Sequence, residues 1–172
     1  DIEFSTLSAA WNEHTKLIFL CSPNNPSGNL LDPEKIKSIL DNFQGIVVVD
    51  EAYIDFSDEP SFILELAKYP QIIVMQTLSK AYGLASLRLG MAFAHPTIIS
   101  LLNKIKPPYN IGGATQEIVH KALANTSFKE EAVKLILSER SRLIEGLENI
   151  PEVIHIFPSD ANFILVQFMR AN

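Results

Sequence analysis

Three short apolar runs, Leu17-Ile18-Phe19-Leu20, Ile46-Val47-Val48-Val49 and Ile72-Ile73-Val74-Met75, each break off into polar residues. Runs of this length, with helix-like stretches between them, predict buried strands of an α/β fold with a mostly parallel sheet. In open α/β sheets ligands collect outside the carboxyl ends of the strands. The residues that follow each run therefore face a crevice. They are Cys21 to Gly28 after the first, Asp50-Glu51-Ala52-Tyr53 after the second, and Thr77-Leu78-Ser79-Lys80 with Arg88-Leu89-Gly90 after the third.

Neighbouring strands lie about 4.8 Å apart, so Asn25, Asp50, Tyr53 and Lys80 can converge on one small ring-shaped ligand. The residue types suit pyridoxal phosphate. A lysine condenses with its aldehyde as a Schiff base, and a carboxylate opposite the pyridine nitrogen keeps the ring an electron sink. Asp50 is the candidate for that carboxylate. An amide and a phenol, Asn25 and Tyr53, provide hydrogen bonds to the cofactor's phenolic oxygen. Hydroxyls and a guanidinium hold a phosphate, the guanidinium by paired hydrogen bonds.

With Ser22-Pro23-Asn24-Asn25-Pro26-Ser27-Gly28, Asp50-Glu51-Ala52-Tyr53, Thr77-Leu78-Ser79-Lys80 and Arg88-Leu89-Gly90, the chain resembles the pyridoxal-phosphate-dependent aminotransferases of the aspartate aminotransferase fold. Lys106-Pro107-Pro108-Tyr109-Asn110 and Ala161-Asn162-Phe163-Ile164-Leu165 are similar to the histidinol-phosphate branch. The resemblance implies a three-layer α/β/α large domain over residues 1–125, followed by a linking helix and the start of a smaller α+β domain over 126–172. It implies that Lys80 carries the cofactor, Asp50 pairs with the ring nitrogen, and Asn25 and Tyr53 bind the phenolic oxygen. Thr77, Ser79 and Arg88 then contact the phosphate, and Pro26 is a cis-proline. The implied reaction exchanges an amino group between L-histidinol phosphate and 2-oxoglutarate, giving imidazole-acetol phosphate and L-glutamate, in histidine biosynthesis. The implied partners are amino-acid and keto-acid substrates and a second subunit in a homodimer. Another aminotransferase, a related decarboxylase of a phosphorylated amino acid, and an aminotransferase-like sensor domain of a transcription regulator stay open.

Members of that family are about twice this length, which implies that the 172 residues are an internal piece. The family's N-terminal segment supplies backbone amides for the phosphate, a ring stacked on the pyridine and a tyrosine lent across the dimer. Its C-terminal segment supplies an arginine for the substrate carboxylate. A piece without these is expected to be inactive alone.

A net charge of −6 offers no electrostatic footprint for nucleic acid or an anionic membrane. No apolar run approaches the roughly 20 residues of a membrane span. Cys21 is the only cysteine, which makes an internal disulfide impossible and a reducing cytoplasm the default. His14, His95, His120 and His155 lack ligand spacing, so no metal site is expected. Glu51, next to Asp50 on a strand, points to the opposite face and reads as structural. Cys21 reads as a buried inert thiol, and Asn162 as either a turn residue or a substrate-side contact.

The elements follow. A short helix is expected over Thr6–His14, and another from Asp32-Pro33-Glu34, an N-cap followed by proline at the first helical position, to near Gly45. A third is expected through Ser61–Lys68, then strands to residue 76 and over Leu89–Ala94, the latter antiparallel by the resemblance. Helices over Pro96–Lys104 and Ala114–Leu123 flank Lys106-Pro107-Pro108, which neither can continue through. Gly112-Gly113 reads as a helix entry. Val133, Ile136, Leu137, Leu143, Ile144 and Leu147 recur at a helical period and predict a long amphipathic helix over Ser127–Asn149. Strands are expected at Val153–Phe157 and Phe163–Phe168.

Overall fold

Each apolar run becomes a strand that reaches at least one residue past its apolar part, in a computed structural model that describes residues 3–169. β1 (Leu17–Cys21), β2 (Ile46–Asp50) and β3 (Ile72–Thr77) pair in parallel in that order, and β4 (Gly90–Ala94) closes the sheet antiparallel to β3. The register sets Cys21 beside Asp50 and Asp50 beside Met75, so β1 and β2 finish level and β3 runs on past them to Thr77.

Side chains alternate across a sheet, and the two faces here differ. Ile18, Leu20, Val47, Val49, Ile72 and Val74 share one face and pack with Ile36, Ile39 and Leu40 of α2 (Pro33–Asn42) into the main core. On the opposite face Leu17 and Phe19 stay 51% and 67% exposed, and this is the face on which Asp50 stands. α2 starts where its sequence signal says. The Asp32 side chain accepts the Glu34 N–H at 2.9 Å and Pro33 occupies the first turn.

Two expectations shift before β3 is reached. The first helix, α1, runs Phe4–Ala10 and not over Thr6–His14. Asn12 stops it, because its side chain accepts the His14 N–H at 2.9 Å and its carbonyl the Thr15 N–H at 3.0 Å, a local turn that outcompetes helical bonding. In place of a short helix over Ser61–Lys68 there is a 3₁₀ turn, Phe62–Glu65, capped by the Ser61 hydroxyl, and another 3₁₀ turn, Ile54–Phe56, precedes it.

Past β4 come α3 (Pro96–Ile105), α4 (Gly113–Ala124, entered through Gly112) and α5 (Ser127–Glu148), close to expectation. β5 (Val153–Ile156) then pairs antiparallel with β6 (Val166–Phe168). The second strand was expected from Phe163. Its first half is instead a turn closed on Ser159, whose hydroxyl donates to Phe163 O at 2.5 Å and accepts the Ala161 N–H at 3.1 Å. A second apolar cluster joins the two parts of the chain: Val133, Ile136 and Leu137 of α5, with Phe163, pack on buried Tyr53, Phe56, Ala81 and Ala161.

Candidate active site

The three strand ends carry their side chains to one place. Asp50 closes β2, and its Oδ1 accepts the Ala52 N–H at 3.1 Å, bending the chain so that Tyr53 enters the 3₁₀ turn that follows. Asn25 lies in the loop after β1, where the Ser22-Pro23 and Asn25-Pro26 peptide bonds are both cis. The second is the cis-proline the resemblance implied; nothing in the sequence reading singled out the first. Asn25 Nδ2 donates to the Tyr53 phenol oxygen at 2.9 Å. Because that oxygen accepts from the amide, the phenol's own proton is left to donate onward. Lys80 Nζ, early in the loop after β3, lies 4.9 Å from the centroid of the Tyr53 ring. Asn25, Tyr53 and Lys80 thus form one contiguous group, with the exposed amine and amide on either side of a buried phenol.

The hydroxyls form a second, adjoining group. Thr77 Oγ1 donates to Ser79 Oγ at 2.9 Å and accepts the Ser79 N–H at 3.1 Å. This engages the Thr77 hydroxyl inside the turn and leaves the Ser79 hydroxyl proton for a ligand. Arg88 is not drawn to them. It sits in the left-handed region at φ 53°, exposed, and its guanidinium donates to Ala85 O at 3.0 Å in its own turn.

Glu51 takes the structural part expected of it. Buried on the core face, it accepts the Ser61 hydroxyl at 2.5 Å, the Phe62 N–H at 2.7 Å and the Gln76 amide at 2.9 Å. Gln76 belongs to β3, so this carboxylate straps the end that carries Asp50 to the end that leads to Lys80. Cys21 is half-buried, and burial above all holds its thiol above the ordinary pKa, the charge of Asp50 adding to this and the Asn25 backbone N–H opposing it. Such a thiol is a poor nucleophile. Asn162 is exposed at the bend after Ala161 and borders a hollow with Ile136, Arg140 and Phe163. Among the described residues no group of three or more His, Cys, Asp or Glu could hold a metal ion, and no helix is long and apolar enough to cross a membrane.

Two polar residues that reach this region escaped the sequence reading. Asp160 and Arg140 act through bonds to residues 130 and 84 positions away, a separation at which no local pattern carries a signal.

The family profile described as aminotransferase class I and II matches residues 1–172. The chain belongs to this family. Among its relatives, a histidinol-phosphate aminotransferase of Cytophaga hutchinsonii is 54% identical over 167 residues, which are 97% of this chain and 48% of that protein. This aminotransferase chain also superposes on the histidinol-phosphate aminotransferase of Sinorhizobium meliloti in complex with pyridoxal-5'-phosphate. That match has a TM-score of 0.86 at 26% identity and covers 98% of this chain and 47% of the other. A decarboxylase from Sulfurospirillum multivorans superposes with a TM-score of 0.83 at 29% identity, covering 98% and 50%. The chain spans about half the length of the curated relatives it matches.

Proposed function

We propose that this chain carries the cofactor-binding part of a pyridoxal-phosphate-dependent histidinol-phosphate aminotransferase, which exchanges an amino group between L-histidinol phosphate and 2-oxoglutarate. The observation that carries the reading is the convergence of Asn25, Tyr53 and Lys80 at parallel strand ends where Asp50 also stands. The identity of 54% to a histidinol-phosphate aminotransferase supports the choice of substrate.

The donor set fits the cofactor group by group: one amine, one carboxylate, an amide with a phenol, and a pair of hydroxyls, with a guanidinium further along the same loop that bonds its own turn. When bound, pyridoxal phosphate supplies an aldehyde that captures amines and a ring that accepts electrons. Lys80 Nζ is the amine that would hold the aldehyde. Freed of the aldehyde, the same nitrogen would take the proton from the substrate α-carbon and pass it to the aldehyde carbon, acting as base and then acid. Asp50 holds a proton on the ring nitrogen. Asn25 and Tyr53 donate to the phenolic oxygen, and Ser79, Arg88 and Thr77 serve the phosphate, Arg88 by turning from Ala85. We place the boundary between the large and small domains at residues 125 and 126, between α4 and α5, and assign the whole protein a homodimeric state in the cytoplasm.

Borohydride reduction of the full-length protein loaded with pyridoxal phosphate, followed by peptide mapping, tests the site. The label is expected on Lys80, and a label on Lys104 or any other lysine overturns the assignment. The same protein should form glutamate from histidinol phosphate and 2-oxoglutarate. Release of carbon dioxide from a phosphorylated amino acid without amino-group transfer would replace this reading with that of a decarboxylase. Asp50→Ala should lose turnover by orders of magnitude, since the electron sink fails, whereas Asn25→Ala should chiefly weaken cofactor binding.

A further inference from the structure

The loops that bring Asn25, Tyr53 and Lys80 together all lie in the first half of the chain, yet one turn near its other end touches each of them. Asp160 grips the Asn25 loop twice. Its N–H donates to Gly28 O at 2.8 Å, and its Oδ2 accepts the Leu30 N–H at 3.0 Å. Ser159 fills the space beside Gly28, where an added Cβ would come within 2.9 Å of the Ser159 hydroxyl and where φ is +83°. Phe163 stands edge-on to the Tyr53 ring, with centroids 5.3 Å apart. Ala161 is fully buried against Tyr53, Phe56 and Ala81, the last of these adjoining Lys80.

The turn is itself held. Ser159 closes it internally, and Arg140 of α5 donates to Ala161 O at 2.7 Å and to Phe56 O at 3.4 Å. It is a fixed body against which the loops seat. The Ser22 N–H ties the root of the Asn25 loop to Asp50 O at 2.9 Å, but beyond it the inner bonds, Gly28 N–H to Asn24 O at 2.7 Å and Asn24 N–H to Asn29 O at 2.9 Å, only shape the loop, and its outer part takes its seat from the turn.

We infer that Asp160 is a positioning residue: it fixes the loop that carries Asn25, and so the Asn25–Tyr53 pair, against a turn anchored on α5. The inference rests on the proposed function, which assigns that pair to the cofactor's phenolic oxygen. A carboxylate that accepts a backbone N–H makes a charge-assisted bond, and its loss leaves the Leu30 N–H without a partner.

Two readouts in the full-length protein separate the inference from the reading beneath it. The first needs no cofactor. In Asp160→Ala, amide hydrogen exchange at Leu30, whose N–H loses its carboxylate acceptor, should speed by about tenfold or more, the scale of one charge-assisted hydrogen bond. The second is the visible absorption of bound pyridoxal phosphate, whose band reports the charge on the phenolic oxygen. It should shift in Asp160→Ala, with affinity weakened about tenfold on the same scale, while Asp160→Asn, which keeps a side-chain acceptor, should restore both. Faster exchange with an unchanged band and affinity would overturn the inference, as would an Asp160→Asn variant as impaired as the alanine. Faster exchange in a protein whose wild type takes up no pyridoxal phosphate would overturn the proposed function and still support the anchoring by Asp160. If Asp160→Ala does not fold, Phe163→Leu reads the same seat through Tyr53: a shifted band supports the inference and an unchanged one overturns it.

Discussion

α2 and α3 each run ten residues from a proline in the first turn, and each is capped by the side chain before it: Asp32 accepts the Glu34 N–H at 2.9 Å, and His95 Nδ1 accepts the Thr97 N–H at 3.3 Å. Both carry an apolar stripe. α2 buries Ile36, Ile39 and Leu40 under the parallel strands, whereas α3 buries no residue and leaves Leu101 and Ile105 57% and 79% exposed. α2 returns across the face that three strands share, while α3 follows β4 at the sheet's edge and contacts that strand. The contrast teaches that local sequence prescribes a helix and its apolar side, and that strand order decides which stripe receives cover.

The comparison can be broken most directly in the core. Ile39→Ala should cost about 2–5 kcal/mol, and Ile105→Ala less than about 0.5 kcal/mol, in urea unfolding. Equal losses would mean that the α3 stripe is covered in solution and that the contrast is not a property of the molecule. Next in size, removing the buried acceptor beneath the α2 side of the sheet with Glu51→Ala should destabilise by about 3 kcal/mol, since three donors lose their partner. A loss under about 0.5 kcal/mol, within the range of ordinary surface substitutions, would show that the strap between β2 and β3 carries no weight.

The caps sharpen the contrast further. Asp32→Ala should cost about 1 kcal/mol, and His95→Ala less, because its bond is longer and the helix behind it buries no residue. Finding the reverse order would argue that α3 depends on its cap more than α2 does. The smallest effect concerns α5. Burial alone would lower the pKa of the Lys129 ammonium, but the hydrogen bond to Asp55 at 3.0 Å and the charges of Asp55, Tyr82 and Glu130 outweigh it, so the pKa stands above its ordinary value. A base raised in this way contributes stability that is complete below its unfolded pKa, about 10.4, and is lost as pH rises through the folded value. Lys129→Met should therefore flatten the alkaline fall in stability by less than about 1 kcal/mol. An alkaline limb identical to wild type would sink the Lys129–Asp55 contribution.

What could be read in the sequence follows the range of the interactions. Asp32-Pro33 is a local signal, and α2 begins where it says. The three strand ends are legible because apolar runs stop sharply at polar residues, and strands that lie as parallel neighbours bring Asn25, Asp50, Tyr53 and Lys80 to one end of the sheet. Short side-chain turns were harder to see. Asn12 ended α1 early by bonding its own neighbours, and Phe163, Ile164 and Leu165, apolar like a strand, form the exit of a turn, with Phe163 packed on Tyr53. Arg88 was placed by resemblance, and its guanidinium bonds its own turn. The contacts of Asp160 and Arg140 exist only once distant segments meet.

Val47, Val48 and Val49 follow one another in β2, and all are buried. For such a strand the apolar pattern is nearly unchanged by a slip of one residue, so hydrophobic burial alone does little to reject mispairing. Asp50 and Glu51 lift that degeneracy. A slip in one direction would put Ala52 where Ser61, Phe62 and Gln76 now find a carboxylate, and would bring Glu51 to the face that Cys21 and Met75 flank. A slip in the other would bury Asp50, one methylene too short, among the same donors. Either error strands buried polar groups, so the adjacent carboxylates act as proofreading marks for strand pairing, and selection for a working site is at the same time selection for a sheet that forms in only one way.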